Sequence, residues 1–257
     1  MQVTLSSRGL VAMVAVESVG DDIRRFGTAL DPQGLVAYQP ALAGEFTSQW
    51  LDPRYWARNG ALLGGIDGID GIWVVREGRR TLQLRQLRQS GLPAAVVMNR
   101  LLWLGEARCV AWQQLQASLQ AQVAGLCAAP VLAVRWRRLG LFYSAEVLSV
   151  QSGSLPTLAQ QLRAGSVSLD VWAAVGRCLR RHHDAGINLA GLQAAELRIG
   201  GSDGVQVGDY HRARVRTPGM WSAADVVRLR RSIDRVLDAA GQSMDEVAWH
   251  CLLAAYG

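Results

Sequence analysis

Residues 182–199 read HHDAGINLAGLQAAELRI. His182-His183-Asp184-Ala185-Gly186 is the end of a helix. The stretch before it, SLDVWAAVGRCLRR (168–181), carries apolar residues at helical spacing behind Ser168, a side chain suited to an N-cap. Gly186 is the residue type that stops such a helix in a left-handed turn. At the other end, Glu196-Leu197-Arg198-Ile199 reads as a strand. It pairs naturally with GVQVGDY (204–210) across the turn GGSDG. Between helix and hairpin lies a short loop whose middle residue is Gly191.

Outward from this segment the chain changes character. The second half is helical: SLPTLAQQL with Pro156 early in a helix, the helix just described, the amphipathic SAADVVRLRRSIDRVLDAAG, and the closing SMDEVAWHCLLAAYG. The first half reads as strands with one helix. GLVAYQP is β-like, and LLGGIDGIDGIWVVREGRRTLQLRQL is a Gly-rich turn followed by strands at 71–76 and 81–85. EARCVAWQQLQASLQAQVAGL is the helix, with Val110, Leu115, Leu119, Val123 and Leu126 as its stripe. VLAVRWRRLGLFYSAEVLSV is a hairpin turning at 138–140. Periodicity therefore predicts an α+β fold in two lobes, residues 1–150 and 151–257, with no internal repeat.

Composition narrows the function classes. The chain has 257 residues, half of them hydrophobic, enough for one large domain or two lobes. No stretch approaches the roughly 18 apolar residues without charge that a membrane span requires. The opening MQVTLSSRGLVAMVAVESVGDD lacks the strongly basic start and small-residue cleavage site of a signal peptide, and VAMVAVE within it alternates like a strand. Cysteines 109, 127, 178 and 251 are scattered, so free cytosolic thiols are expected, not a zinc site. The net charge is +6, which favours acidic partners. All 27 basic residues are arginine, a bias of composition as much as a set of contacts. No aromatic interleaving marks an RNA module, and no nucleic-acid partner is expected.

Five segments, in order, carry a resemblance: LRQLRQSGLP, LCAAPVLAVRWRRLGLFYSAEVL, VWAAVGRCLRRHHDAGI, GDYHRARVR, and Trp221 followed by DVVRLRRSI. Together they resemble the 3-deoxy-D-manno-octulosonic acid (Kdo) kinase family of Gram-negative lipopolysaccharide core assembly, over about residues 40 to 256. The resemblance implies a protein-kinase-like two-lobed fold, a β-rich N-lobe with one main helix above a helical C-lobe. It also implies ATP and Mg²⁺ as cofactors, and transfer of the γ-phosphate to a Kdo hydroxyl of a lipid A precursor at the cytoplasmic face of the inner membrane.

Phosphoryl transfer uses a Gly-rich turn over the phosphates, a strand lysine held by a helix carboxylate, an Asp at the attacking hydroxyl, and an Asn and a second Asp on the metal. By the resemblance, Gly65 and Gly68 in GGIDGIDG would cover the phosphates, although Asp67 and Asp70 there would repel them. Arg85 stands where the basic residue falls, the chain having no lysine. Trp112 is the nearest match to the helix carboxylate. Gly191 stands in place of the catalytic Asp and Glu196 in place of the Asn. Asp209 aligns with the first metal Asp, Tyr210 with the aromatic and Arg212 with the Arg, while His211 replaces the second Asp. Asp209 and Glu196 together suit one Mg²⁺, and Asp209 also reads as a plain turn acid.

His182 and His183 suit a structural place at a helix C-terminus. The arginine groups 135/137/138, 212/214/216 and 228/230/231/235 are candidates for an anion surface, or else solvated faces. The coincident losses point to a pseudokinase, acting by binding or regulation on a lipopolysaccharide or lipid A intermediate or on a protein of that pathway. It is expected in the cytoplasm or peripherally at the inner membrane. An active divergent kinase and a basic scaffold for a protein or an anionic membrane surface are the alternatives.

Overall fold

The structure is a computed structural model. It describes residues 17–18, 22–27, 34–66, 71–87, 101–126, 129–151, 153–165, 167–200, 204–217 and 219–257. The α+β expectation holds. Among these residues the first part of the chain builds a sheet of nine strands, all neighbours antiparallel, in the order β1-β2-β3-β8-β9-β6-β5-β4, with β7 alongside β9. The strands are β1 (Glu17–Ser18), β2 (Arg24–Phe26), β3 (Leu35–Tyr38), β4 (Leu62–Ile66), β5 (Ile72–Glu77), β6 (Arg80–Leu87), β7 (Leu101–Leu102), β8 (Val131–Leu139) and β9 (Phe142–Val150).

Side chains alternate across this sheet, so it has two buried faces. One packs Val134, Trp136, Tyr143 and Val147 against Trp112 and Leu115 of α3 (Val110–Val123). The other packs Leu82, Leu84, Leu132 and Leu148 against Trp50, Leu51 and Trp56. That second cover includes two short helices absent from the sequence reading, α1 (Pro40–Ala43) and α2 (Pro53–Arg58). Each starts with a proline in its first turn, and Asp52 caps the second by accepting from the Arg54 N–H at 2.9 Å. They are too short for periodicity to reveal. Cap and proline were the available signals.

The remainder is helical around a second core: α4 (Leu158–Arg163), α5 (Leu169–Asp184), α6 (Trp221–Asp238) and α7 (Glu246–Tyr256). Two small ladders complete it, β10 (Ile187–Asn188) with β13 (Arg214–Val215), and β11 (Leu197–Ile199) with β12 (Val205–Val207). Pro156 lies outside α4. Thr157 is the N-cap, in a reciprocal capping box with Gln160, and the Pro156 carbonyl accepts from the Ile199 N–H at 2.8 Å. The helix starts after the residue whose side chain can satisfy its free N–H groups. Gly176 lets α7 approach α5, because a Cβ there would meet the Leu252 carbonyl. No helix among the described residues is long and apolar enough to cross a membrane.

The two histidines that end α5 are structural. His182 is buried, its Nδ1 2.8 Å from the Cys178 carbonyl and its Nε2 3.1 Å from the Tyr210 hydroxyl. Burial pushes its pKa down to about 4, so the ring is neutral and sits inside the core as a hydrogen-bonded wedge. His183 Nδ1 lies 2.8 Å from the Tyr256 hydroxyl.

Asp225, on α6, is fully buried. Its carboxylate accepts from Asn188 Nδ2 at 2.8 and 2.9 Å, from the Leu189 N–H at 2.7 Å and from Arg228 Nη1 at 2.5 Å, with His183 Nε2 3.4 Å away. Burial would raise this carboxyl, but the His183, Asn188, Leu189 and Arg228 groups around it outweigh burial and hold it below the usual carboxylate range. The network pins the loop that begins at Leu189 to α6. Removing one partner of a buried charged network strands the others. Asp225→Ala is therefore expected to lose about 3–5 kcal/mol of unfolding free energy, measured by urea denaturation.

Candidate functional site

Arg85, Glu196 and Asp209 meet in the crevice between the sheet and the helices. Leu82 and Leu84 of β6 are buried in the core, and the two-residue period turns Arg85 to the opposite face. There Arg85 Nη2 pairs with Asp209 Oδ2 at 2.6 Å, both side chains mostly buried. Asp209 follows β12, and its other oxygen, Oδ1, lies 3.4 Å from Gln114 Nε2. Glu196 enters from the turn before β11. Burial, and then the Asp209 charge, push its carboxyl up to about 7, against the pull of Arg85 and Arg198. His211 is pushed down to about 4, by burial first and by Arg85 second, so it is a neutral ring, and its Nδ1 is buried without a hydrogen-bond partner.

The α3 side chain that reaches this cluster is Gln114, and Trp112 is elsewhere. The indole of Trp112 is in the core beneath the sheet, 6.0 Å from Trp136 between ring centres, with Arg25 over its face. Residues two apart on a helix do not share a face, so a shift of two positions turns an apolar plug into a polar contact. The face turned inward is Ala111, Gln114, Ser118 and Ala121, a small-and-polar stripe whose spacing was visible in the sequence. A neutral amide cannot hold a strand arginine by charge, and Arg85 pairs across the crevice with Asp209 instead.

At Gly191 the structure adds to the sequence reading. A Cβ at this position would fall within the van der Waals shell of the His211 carbonyl oxygen. The space that a side chain at 191 would occupy is filled by the backbone that follows Asp209. Of the Gly-rich turn, Gly65 is on β4, opposite Trp73 of β5, and a Cβ there would lie 3.3 Å from the Trp73 ring. Gly68 lies outside the described residues. Beside the crevice a cavity of about 590 Å³ is lined by Thr81, Gln151, Ser154, Gln160 and Arg198 among others. Arg198 Nη1 donates to the Leu155 carbonyl at 3.3 Å, and its Nε is buried without a partner.

ATP and Mg²⁺ test poorly against these side chains as they stand. Mg²⁺ takes one or two ionised carboxylates together with phosphate oxygens. Here Asp209 Oδ2 is already paired with Arg85, burial and the Asp209 charge raise the Glu196 carboxyl to about 7, and no group of three or more His, Cys, Asp or Glu among the described residues is placed to hold a metal.

The arginine groups separate in the structure. Arg135 is buried, paired with Glu146 at 3.0 Å and donating to the Leu51 carbonyl at 2.9 Å, so it does not belong to an anion surface. Arg137 shares Glu146, Arg228 serves Asp225, and Arg230 pairs with Asp234 and Glu246. Arg138, Arg214, Arg216, Arg231 and Arg235 are exposed.

The folded protein holds the Glu196 proton more tightly than the unfolded chain, whose carboxyl titrates near 4.5. The group's contribution to stability is therefore fullest below pH 4.5 and is lost as the pH rises to about 7. Glu196→Gln is expected to be more stable than the wild type at pH 8, by roughly 2 kcal/mol, with the difference vanishing near pH 4. Urea unfolding at both pH values measures it.

The sequence model of the lipopolysaccharide kinase (Kdo/WaaP) family matches residues 53–256. The 3-deoxy-D-manno-octulosonic acid kinase of Vibrio cholerae serotype O1 is 27% identical over 205 residues, covering 80% of this chain and 87% of the relative. That of Photobacterium profundum is 24% identical over 221 residues, covering 85% and 93%. Among solved structures, WaaP in complex with acyl carrier protein superimposes with a TM-score of 0.51 at 19% identity, covering 84% of this chain and 85% of that one. The protein-kinase-like, two-lobed fold is the one expected from the sequence. The chain belongs to the lipopolysaccharide kinase (Kdo/WaaP) family.

Proposed function

We propose that this member of the family keeps the fold and no longer transfers phosphate, acting as a pseudokinase by binding or regulation in lipopolysaccharide assembly. The observation that carries the reading is Gly191. An acceptor hydroxyl needs a carboxylate within hydrogen-bond reach, and its loss typically costs about 10² to 10⁴ in rate. Here the space for that side chain is closed by the His211 carbonyl. The Arg85–Asp209 pair and the neutral Gln114 support the same reading. The partner in this reading is a lipopolysaccharide or lipid A intermediate or a protein of the pathway. The solved relative, captured with acyl carrier protein, supports the second class. We place the protein in the cytoplasm, at the inner membrane, with its lobes dividing at residues 150 and 151.

One observation favours an active, divergent kinase as the second reading: Arg85, Glu196 and Asp209 still converge in the crevice. In that reading Gly65, Gly68 and Arg85 contact ATP, and Asp209 and Glu196 hold Mg²⁺ once Arg85 has moved to the phosphates.

A transfer assay from ATP to Kdo-lipid A separates the two. No transfer is expected from the wild type. None is expected from Gly191→Asp either, because restoring the carboxylate collides with the 211 backbone, and its unfolding midpoint should fall. Transfer by the wild type that disappears in Asp209→Ala establishes the second reading and sinks the first.

A further inference from the structure

We propose that the tip of the β8–β9 hairpin, with β7 beside it, is the surface by which this protein docks on an anionic lipid bilayer. This is independent of whether the crevice transfers phosphate. Leu139 is paired with Phe142 across the hairpin, and Phe142 with Leu102 of β7, so the three lie in one row across three strands. Leu141 in the turn and Leu104 beyond β7 extend the row. All five are between 41% and 71% exposed. The alternate face of the same strands is the core, where Tyr143 and Trp136 are buried. The exposed row therefore continues a face that is covered further down, where Arg135 and Glu146 lie under Leu51, and is uncovered at the tip. Single exposed apolar residues are ordinary, but three large ones side by side across three strands, with two more exposed in the adjoining turn and segment, mark an interaction surface.

Charge decides in favour of a lipid surface. Arg138 stands over the Trp103 ring, and Arg108 follows four residues after Leu104. Neither forms an ion pair among the described residues. The acids of the same segments are neutralised, Glu106 by Arg25 and Glu146 by Arg135 and Arg137. The result is a projecting apolar tip with an aromatic at its base and uncompensated arginines around it. A tip of this shape inserts its leucines and Phe142 among acyl chains while the arginines meet the headgroups. Each arginine near an anionic surface strengthens binding by roughly fivefold.

Co-sedimentation with vesicles of phosphatidylcholine, alone and mixed with phosphatidylglycerol, tests this on the full chain. The wild type should bind the mixed vesicles and weaken with salt. Leu141→Gln/Phe142→Gln should bind at least about tenfold more weakly, Arg138→Gln more weakly by roughly fivefold, and Val247→Gln, exposed on α7, should bind as the wild type does. Circular dichroism checks the fold of each variant; if the double variant fails to fold, Arg138→Gln decides. The proposal is overturned if the wild type ignores the mixed vesicles, or if binding survives the tip substitutions. It is equally overturned if those substitutions turn a dimer into a monomer by light scattering and leave vesicle binding unchanged, because the row would then be a self-association surface.

Discussion

The buried carboxylate of Asp225 holds the crevice in shape. It is an ionised group with no exposure to water, a state that persists only when it is fully paired. Its partners come from three places: Asn188 and Leu189 at the start of the loop, Arg228 on its own helix, and His183 at the end of α5 nearby. Each needs Asp225 as much as Asp225 needs them, because among the described residues the Leu189 N–H and the Asn188 side-chain amide donate to no other group. The loop from 189 to 196 therefore leaves α5 along a path set by α6. That path carries Gly191 beneath the backbone of 211 and presents Glu196 to Asp209. The network serves position and not chemistry, and it would keep the loop in place whether or not the loop carried a catalytic acid.

The polar groups of the crevice are settled among themselves. Without a carboxylate on α3, the strand arginine has no partner behind it and takes the one in front, Asp209. Without a side chain at 191, the two backbones approach to a distance that a Cβ would forbid. With water largely excluded and the Asp209 charge nearby, the Glu196 carboxyl is pushed above the usual carboxylate range. All three follow one rule: a buried polar group finds a partner or changes its charge.

The elements with strong periodicity were legible in advance. The α5 boundaries, Ser168 cap to Gly186 stop, and the β5–β6 and β8–β9 hairpins lie within a residue or a few of where spacing and turn chemistry place them. The misreadings share a cause. Proline suits a first turn, which predicts Pro156 inside a helix, but Thr157 offers a cap and the helix begins after it. Arg135 falls in a run with Arg137 and Arg138 and shares a face with Arg137, but it lies further from the hairpin tip, where Leu51 covers that face. Trp112 was matched to a cleft position, and Gln114, two residues on, holds it. In each case local sequence named the right segment, and packing against another segment decided what the residue meets.

The sequence by itself determined the architecture and the residue types available to the site: an α+β chain with no lysine, a glycine at 191, and an acid at 209 after a short hairpin. Those follow from residue type and period, which are local. Asp225 was a partial case, since a carboxylate on the apolar stripe of α6, four residues before Leu229, is a readable anomaly whose partners are not. Only the tertiary structure decided that Arg85 spends its charge on Asp209, that the 211 carbonyl fills the space at 191, and that the hairpin tip is uncovered. Each is a contact between segments tens of residues apart, brought together by packing of the whole core, and no pattern along the chain records which backbone will lie against which.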